Sequence, residues 1–478
     1  MENEIKKNFI YSFIYRILLM IIPFITAPYL SRTLGVEGIG IYSYRYSIVY
    51  YFILFTLFGI ENYGNRAIAK NKQNIKQMSK IFWEIYAFQF LSGIIMLCIY
   101  FLYIYIFNIE YKNISILMSL FIVSAMLDVN WLFFGLEDFK RTIARNFFVK
   151  VGTVILIFIF VHNENDVQKY TFIMSFMTML SQLLMWSYLR KKVIIVPIKL
   201  KDCFKHIKPN LKLFIPVIAV SIYKMMDKIM IGNQIGVVEV GYYENAEKII
   251  NIPVTIITAL GTVMLPRVSN IVANKHYEKV KEYLIKSIDF IMFLSLPIMF
   301  GLIAVSKEFS ILYFGIDFMK TGTLTQILAL SLPFLAIANI LRTQYIIPVE
   351  KDNIYIKSVI IGAISNFIFN VLLIPKFGSI GASVGTVIAE ITVMIIQYFS
   401  VKKYLTINIL NKFNIKFIST SLLMFIIILL LDFCSLNPVI KLLTKIFCGM
   451  IIYLIINVRY IYVLVYKNKG EGDVIEKN

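Results

Sequence analysis

Charged residues are scarce in this 478-residue chain, and hydrophobic residues are in large excess. Only 16% of the residues are charged and 59% are hydrophobic, whereas soluble domains have about 25% and about 45–50%. One buried core cannot hold this excess, because single cores stop growing near about 250–300 residues. The composition therefore excludes a soluble globular enzyme and predicts a protein that crosses a membrane many times.

Cysteine and histidine are too few and too scattered to form a disulfide framework or a zinc site. The chain has four cysteines, without a CxxC pair, and three histidines. Acidic residues are also few, since 28 Asp and Glu oppose 48 Lys and Arg and leave a net charge of +20. Because the basic residues lie in short loops between apolar runs, the imbalance indicates membrane orientation and no nucleic acid partner.

Long apolar runs predict an all-α polytopic membrane protein with about fourteen transmembrane helices. No loop, not even the largest at 190–212, is long enough to hold the folded catalytic domain that a membrane enzyme with a bulky outer substrate needs. We therefore expect no enzymatic activity. The predicted spans lie near 8–30, 41–60, 81–107, 113–136, 146–162, 168–189, 213–233, 244–266, 287–306, 322–347, 354–375, 380–401, 415–433 and 440–465.

The charge of the connecting loops alternates along the chain. Loops with about +4, +7, +3 and +4 charges alternate with nearly neutral or slightly acidic ones such as 162–170 and 234–244. The positive-inside rule then places both termini in the cytoplasm, as an even number of spans requires. The positive loops are 61–80, 190–212, 267–286 and 402–416.

The sequence repeats itself weakly. LGVEGIGIYSYRYSI (34–48) lines up with IGVVEVGYYENAEKI (235–249), and LEDFK (136–140) resembles VEKDN (349–353). Repeats separated by six helices have the same orientation and are typical of transporters that alternate around a central site. The identical pairs are Gly35 with Gly236, Val36 with Val237, Gly40 with Gly241, Tyr42 with Tyr243 and Ile48 with Ile249.

The repeat predicts two six-helix lobes related by pseudo-two-fold symmetry, followed by two further C-terminal helices. A basic cytoplasmic linker would join the lobes, and a charged tail would end the chain. The predicted boundaries are 1–190 for the N-terminal lobe, 191–212 for the linker, 213–401 for the C-terminal lobe, 402–466 for the extra helix pair and 467–478 for the tail.

Several ionisable residues lie within predicted spans, where each costs at least about 2.5–3.5 kcal/mol and therefore faces protein or water. Lys224 and Lys228 lie on one face of the seventh span near the midplane, and Asp227 reaches the same edge. The lysines predict a cationic cavity for an anionic phosphate or pyrophosphate group. In the alternative reading, Asp227 neutralises a lysine and the cluster only ties the helix to its neighbours.

Other charged residues within the predicted spans have two possible roles each. Arg16 and Arg342 either join the cationic cavity or snorkel to the cytoplasmic interface, and Arg45 lies close to the outer end of its span. Asp128, Asp227 and Glu390 either bind a coupling cation or proton or simply partner a buried cation. Tyrosines around 42–51 either stack on sugar faces or form an interfacial aromatic belt.

Five segments of the chain carry a family resemblance: PYLSRTLGVEGIGIYSY, GIENYGNRAIAK, DKIMIGNQIGVVEVGYYENAEKI, MLPRVSN and FNVLLIPKFGSIGASVGTVIAE. Together they resemble the bacterial polysaccharide-biosynthesis flippases, the Wzx-type proteins of the MOP superfamily. This resemblance implies a location in the bacterial cytoplasmic membrane and a central cavity that opens alternately to each side, with Arg16, Lys224 and Arg342 fitting the family's cationic cavity by location. It implies as substrate an undecaprenyl-pyrophosphate-linked oligosaccharide for capsule, O-antigen or exopolysaccharide, with membrane lipid around the protein. A polysaccharide polymerase and chain-length complex are the implied protein partners.

Other functions remain open on the sequence alone. A flippase for lipid II, the peptidoglycan precursor, shares the fourteen helices and the cationic cavity within the same superfamily. A multidrug–cation antiporter should present acidic groups at the midplane, so Lys224 and Lys228 argue against it. From a different class, a membrane polysaccharide polymerase should have a substantial outer loop with paired catalytic groups, which this chain does not offer.

Overall fold

The computed structural model describes the backbone of residues 2–107, 110–405, 408–409 and 411–462. Side chains are described from residue 22 onward within these ranges, apart from those of 139–140, 200, 212–213, 216 and 223–224. The described residues form α-helices, three short 3-10 turns and one π-helical turn, and contain no strand. This confirms the predicted all-α class.

The chain divides into two compact units, Met1–Glu244 and Asn245–Asn478. Because this division neither tests nor replaces the predicted lobe boundaries, those boundaries stay predictions. The helices of the first unit are α1 Glu2–Leu57, α2 Ile60–Asn71, α3 Ile75–Ile106, α4 Lys112–Met126, α5 Asn130–Gly135, α6 Phe139–Phe160, α7 Val167–Leu189, α8 Leu200–Phe204, α9 Ile207–Gln234 and the start of α10 Val237–Ala273.

The second unit continues α10, and its described residues add eight helices. A π-helical turn, Arg342–Ile346, directly follows one of them, and 3-10 turns lie at Ile316–Phe318 and Leu431–Phe433. The helices are α11 Tyr277–Phe314, α12 Met319–Ala329, α13 Leu332–Leu341, α14 Asp352–Phe377, α15 Ser379–Lys402, α16 Lys412–Leu430, α17 Pro438–Ile456 and α18 Val458–Tyr462.

Ten helices among the described residues are long and apolar enough to cross a membrane, or eleven if the bent pair Ile316–Ala329 and Leu332–Ile346 counts as one span. Each of these eleven coincides with one predicted span. The other three predicted spans, 8–30, 41–60 and 213–233, lie in α1 and α9, which do not belong to that set. The structure thus confirms a polytopic membrane fold, while the count of fourteen is not confirmed.

The core of the first unit is aromatic. The rings of Phe82 on α3 and Trp131 on α5 stack 5.3 Å apart, and both side chains are fully buried. On another face of α3, Ile95 and Ile99 are about half exposed. An apolar face of this kind is stable against lipid, so α3 contributes one face to the core and another to the apolar outer surface of the unit.

Glycines interrupt the helices at equivalent places in the two repeats. Gly35 breaks α1 with φ of 67° and ψ of −178°, and Gly236, its repeat partner, separates α9 from α10 with φ of 133°. Both φ values lie in the region that side chains with a Cβ atom rarely adopt. The glycine pair in the sequence alignment therefore marks a helix break with positive φ in both copies.

The two copies also pack on each other through a reciprocal contact. A Cβ atom on Gly40 would overlap the carbonyl oxygen of Val237, and one on Gly241 would overlap the carbonyl oxygen of Val36. The two glycines are repeat partners, and so are the two valines. A local two-fold axis produces such a pair of contacts, because it repeats each contact with the two copies exchanged. This geometry supports the predicted repeat.

The second pair of similar segments, 136–140 and 349–353, shares a backbone feature at one glutamate in each segment. Glu137 and Glu350 have positive φ angles, 59° and 57°. Positive φ costs a non-glycine residue of the order of 1–3 kcal/mol, so few positions share it. The two glutamates, which occupy equivalent positions of the two segments, thus share a positive φ after a helical segment.

The extra helix pair packs on α11 in the second unit. Val305 of α11, Met424 and Ile428 of α16 and Leu442 of α17 form one buried apolar cluster. A buried lysine reinforces it from α17, since Lys445 is only 1% exposed. Its Nζ lies 2.5 Å from Glu308 of α11 and 2.6 Å from Asp432 in the turn after α16. One cation thereby joins three elements.

Replacing Lys445 by alanine should lower the free energy of unfolding of the protein in detergent by about 3 kcal/mol. This is the lower end of the cost of removing one partner from a buried ion pair, because Asp432 is 42% exposed and water partly compensates it. Lys441→Ala is the matched control, since Lys441 lies 3.9 Å from the same Asp432 carboxylate at a more exposed position and should cost about 0–1 kcal/mol. Equal losses in the two variants would contradict a special role of Lys445.

Candidate functional site

Three tyrosines form a half-buried row on the second part of α1. Tyr42, Tyr46 and Tyr50 follow one another at four-residue spacing, so they share one helix face, and Ser43 and Ser47 beside them are buried. Ring centroids lie 6.0 Å apart for the first two tyrosines and 6.2 Å apart for the last two. We call this row the tyrosine face.

The tyrosine face is extended by a fourth ring from α7. Tyr170 meets Tyr42 edge to face, with ring centroids 4.6 Å apart, and is itself half-buried. Such rings offer flat apolar surfaces together with hydroxyl groups that donate and accept hydrogen bonds. These are the surfaces on which the C–H faces of sugars stack, so the face is suited to a carbohydrate.

An ion pair lies beside the tyrosine face at the start of α10. The Nζ atom of Lys228 is 2.7 Å from Oε2 of Glu244, and Ser43 donates a hydrogen bond of 2.6 Å to the same oxygen. Lys228 is 8% exposed. Ser43 and Glu244 occupy equivalent positions of the two copies, so they are repeat partners at the reciprocal contact. The predicted cationic group therefore lies where the two copies meet.

The structure gives Lys228 a partner that helical spacing does not predict. This partner is Glu244 from the next helix, and neutralisation of a lysine by Asp227 stays a prediction. Asp227 is buried and accepts a hydrogen bond of 2.7 Å from the hydroxyl of Tyr243. Both of these partners, Glu244 and Tyr243, follow the Gly236 turn, and no helical spacing rule relates residues across such a turn.

Two of the predicted cationic residues lie outside the described side chains. Arg16 belongs to α1 and Lys224 to α9, but the structure describes only their backbone. Their role in the cavity stays a prediction.

A buried arginine that the sequence reading missed lies on α6. Arg145 donates from Nη1 to Oδ1 of Asn130 at 3.0 Å and to the carbonyl of Ser181 at 3.3 Å. Asn130 in turn donates to Oε1 of Gln182 at 3.3 Å. Arg145 falls just before the predicted span 146–162, so it is not among the ionisable residues that the sequence places within spans. Within a span, a buried guanidinium marks a functional candidate.

Arg45 is packed into the first unit. It is buried, donates to the backbone carbonyl of Glu110, and lies 5.0 Å from the ring of Tyr44 and 6.0 Å from that of Tyr111. These contacts hold one side of the guanidinium, while its buried Nε has no hydrogen-bond partner among the described residues. They favour a positioning role for Arg45, and substrate binding by this residue stays a prediction.

Arg342 opens the π-helical turn Arg342–Ile346 of the second unit. Its Nη1 lies 3.4 Å from the hydroxyl of Tyr355, and its guanidinium lies over that ring at 5.3 Å. π-Helical turns are rare and are often found at functional sites. The π-helical turn is thus compatible with a functional role for Arg342, and that role stays a prediction.

The three predicted coupling carboxylates have different surroundings. Asp128 sits in the break between α4 and α5 and accepts a hydrogen bond of 2.7 Å from the backbone N–H of Asn130, while Asp227 is held by Tyr243. Glu390, at the middle of α15, is 8% exposed and has no hydrogen-bond or ion-pair partner among the described residues. Glu390 is therefore the strongest candidate for binding a proton or cation.

The tyrosine face and the Lys228–Glu244 ion pair thus lie side by side, so aromatic rings, hydroxyl groups and a lysine are close together. Within the described part of the chain, no group of three or more His, Cys, Asp or Glu side chains is placed to hold a metal ion.

Residues 5–272 match the model of a family described as polysaccharide biosynthesis protein, and residues 213–375 match the MatE family. The "Putative O-antigen transporter" of Shigella dysenteriae is 24% identical over 83% of this chain and 100% of its own length.

Two solved structures share the fold. The lipid II flippase MurJ in an inward closed conformation has a TM-score of 0.74 at 19% identity, covering 95% of this chain and 99% of its own. An inward-facing multidrug resistance MATE family transporter of the MOP superfamily has a TM-score of 0.61 at 13% identity, covering 80% of this chain and 97% of its own. At these identities, the likeness concerns the fold alone.

Proposed function

Because the chain belongs to the polysaccharide biosynthesis protein family, we propose that it is a flippase for lipid-linked oligosaccharides. It moves undecaprenyl-pyrophosphate-linked repeat units from the cytoplasmic to the outer leaflet by alternating access, for capsule, O-antigen or exopolysaccharide. The observation that carries this proposal is the tyrosine face beside the Lys228–Glu244 pair, where the two sequence repeats meet. It combines sugar-stacking rings with a cation for the pyrophosphate.

The physical task of this protein is to shield a polar head group. A sugar–pyrophosphate head cannot cross hydrocarbon unaided, since each unpaired polar group costs several kcal/mol there. Tyrosine rings and hydroxyls replace water around the sugar, and lysine and arginine side chains neutralise the phosphates through charge-assisted hydrogen bonds. The prenyl tail stays in lipid. No bond is made or broken, so the protein acts as a transporter and not as an enzyme.

We place the protein in the bacterial cytoplasmic membrane because of its similarity to a bacterial O-antigen transporter, and the loop charges support cytoplasmic termini. Substrate would then come from the cytoplasmic leaflet, and a polysaccharide polymerase with its chain-length complex would consume the product outside.

Glu390 is the carboxylate that we assign to energy coupling. A buried carboxylate without a partner binds a proton or cation readily, because either one removes an uncompensated charge. Glu390→Gln should fold as the wild type does but lose at least about tenfold in transport rate when a proton or sodium gradient is applied. Transport by this variant with an unchanged response to both gradients would rule out Glu390 as the coupling site.

The proposal is tested by the sidedness of lipid-linked oligosaccharide in cells that lack this protein. Complete repeat units should accumulate on the cytoplasmic leaflet, and the wild-type protein should relieve this accumulation. If complete units instead reach the outer leaflet and fail only to polymerise, the chain is a polymerase and the flippase proposal is wrong.

A lipid II flippase is the second candidate, and the TM-score of 0.74 to a protein of that name is compatible with it. The two substrates share the prenyl pyrophosphate and differ in the sugar–peptide portion. Replacement of a lost lipid II flippase by this protein, with no effect on surface polysaccharide, would favour the second candidate.

A further inference from the structure

The first unit contains a cavity that plays no part in the proposed transport. Its volume is about 980 Å³, and its walls are formed by α2, the start of α3, the segment before α9 and the start of α9. These elements belong to the loops 61–80 and 190–212, the two most basic connections of that unit, on the side predicted to be cytoplasmic. The polar lining includes Tyr63, Arg66, Lys70, Lys80, Lys205 and Lys208.

Helix α2 places cations at the membrane surface. It follows a tight turn in which Phe58 and Gly59 have positive φ angles. Ile60 and Ile68 on one face are buried, whereas Arg66 and Lys70 on another are exposed. A short amphipathic helix with basic residues on its polar face is typical of the interface between membrane and water. The cavity mouth therefore lies at the level of phospholipid head groups.

A buried carboxylate organises the floor of the cavity. Oε2 of Glu84 lies 2.7 Å from Nζ of Lys205 and 3.1 Å from Nε2 of His206, and Lys80 lies 3.8 Å from Oε1. Nδ1 of His206 is 2.7 Å from the hydroxyl of Tyr63. Burial lowers the pKa of His206, although Glu84 opposes this shift, so the imidazole carries little charge at neutral pH. Lys205 therefore supplies the main counter-charge of Glu84.

The cavity keeps an excess of positive charge. Five cations and one carboxylate line it. Arg66, Lys70 and Lys208 have no hydrogen-bond or ion-pair partner among the described residues. Like charges gathered around one concave space repel each other. An anion in that space is attracted to each of them and so offsets this repulsion.

We propose that this cavity binds a phosphate anion. The guanidinium of Arg66 can hold two phosphate oxygens at once, and Lys70 and Lys208 can approach the remaining oxygens as point charges. A basic pocket between membrane helices on the cytoplasmic side is a known arrangement for anionic head groups. The anion is either the head group of a phospholipid or a soluble phosphate compound, and the proposal does not depend on the transported substrate.

The test uses the purified full-length protein in neutral detergent and measures its thermal unfolding midpoint. Phosphatidylglycerol in mixed micelles should raise the midpoint of the wild type, whereas phosphatidylcholine should not. Arg66→Gln combined with Lys208→Gln should raise the half-saturating concentration about tenfold or more, because two charge-assisted hydrogen bonds are lost. Lys199→Gln combined with Lys201→Gln is the control, since these exposed lysines lie in the same loop but do not line the cavity.

Inorganic pyrophosphate distinguishes the two sources of phosphate. A shift with phosphatidylglycerol alone identifies a lipid head-group site, and a comparable shift with pyrophosphate identifies a site for a soluble anion. The proposal is overturned if neither probe shifts the midpoint, if the Arg66–Lys208 variant responds as the wild type does, or if the control loses as much. Lys70→Gln gives a second, single-charge variant for the same comparison if the double variant does not fold.

Discussion

Lys228→Ala should reduce translocation of lipid-linked oligosaccharide by about 10- to 100-fold. Lys228 lies beside the tyrosine face, where we expect it to bind a phosphate of the substrate. One charge-assisted hydrogen bond to a phosphate contributes about 1.5–3 kcal/mol. Lys228→Arg keeps the charge and should retain most of the activity. Translocation is measured in membranes that contain equal amounts of folded protein.

The same loss could arise if Lys228 only neutralised Glu244. The double variant Lys228→Ala with Glu244→Ala separates these roles, because it removes the uncompensated carboxylate together with the lysine. A structural ion pair predicts recovery of transport in the double variant. Substrate binding by Lys228 predicts that the double variant stays inactive, and recovery to wild-type rates would contradict it.

Gly40→Ala should reduce transport more than any other single methyl addition in α1. The new Cβ atom would overlap the carbonyl oxygen of Val237, which is backbone and cannot rotate away. Overpacking in a tight contact costs about 1–3 kcal/mol, and more where only backbone can give way. Gly241→Ala should have a similar effect, because the symmetric contact places it against the carbonyl of Val36.

Gly301→Ala is the matched control for both glycine variants. Gly301 lies inside the spanning helix α11, and a Cβ atom there meets nothing within 4 Å. Alanine is the better helix former, so stability should stay equal or rise by up to about 1 kcal/mol. Unfolding midpoints and transport rates of the three variants provide the comparison. Unchanged transport in Gly40→Ala and Gly241→Ala would show that the contact between the repeats is dispensable.

The sequence predicted those parts of the fold that depend on local patterns. Apolar runs located the spans, and the alignment of the two copies paired Gly40 with Gly241, the two residues at which the structure shows the reciprocal contact. Both signals are strong because a span needs a continuous apolar run, and because backbone contact between two helices tolerates only glycine.

The partners within the site could not be predicted, because they depend on how separate helices meet. Glu244 follows a turn after Lys228, and no periodicity relates them across that turn. Arg145 was missed because its predicted span began just after it, and span ends are uncertain by a few residues. Lys445 of α17 sits between one carboxylate on α11 and another in the turn after α16, so no spacing along a single helix relates the three.

The most direct test of the central claim is translocation by the purified protein alone. The wild-type protein and Lys228→Ala are incorporated into vesicles whose inner leaflet carries an undecaprenyl-pyrophosphate-linked oligosaccharide, and a glycosidase outside reports its arrival. The flippase account predicts that wild-type vesicles become accessible to the enzyme much faster than protein-free or variant vesicles. Equal accessibility in wild-type and protein-free vesicles, under every applied ion gradient, would contradict it.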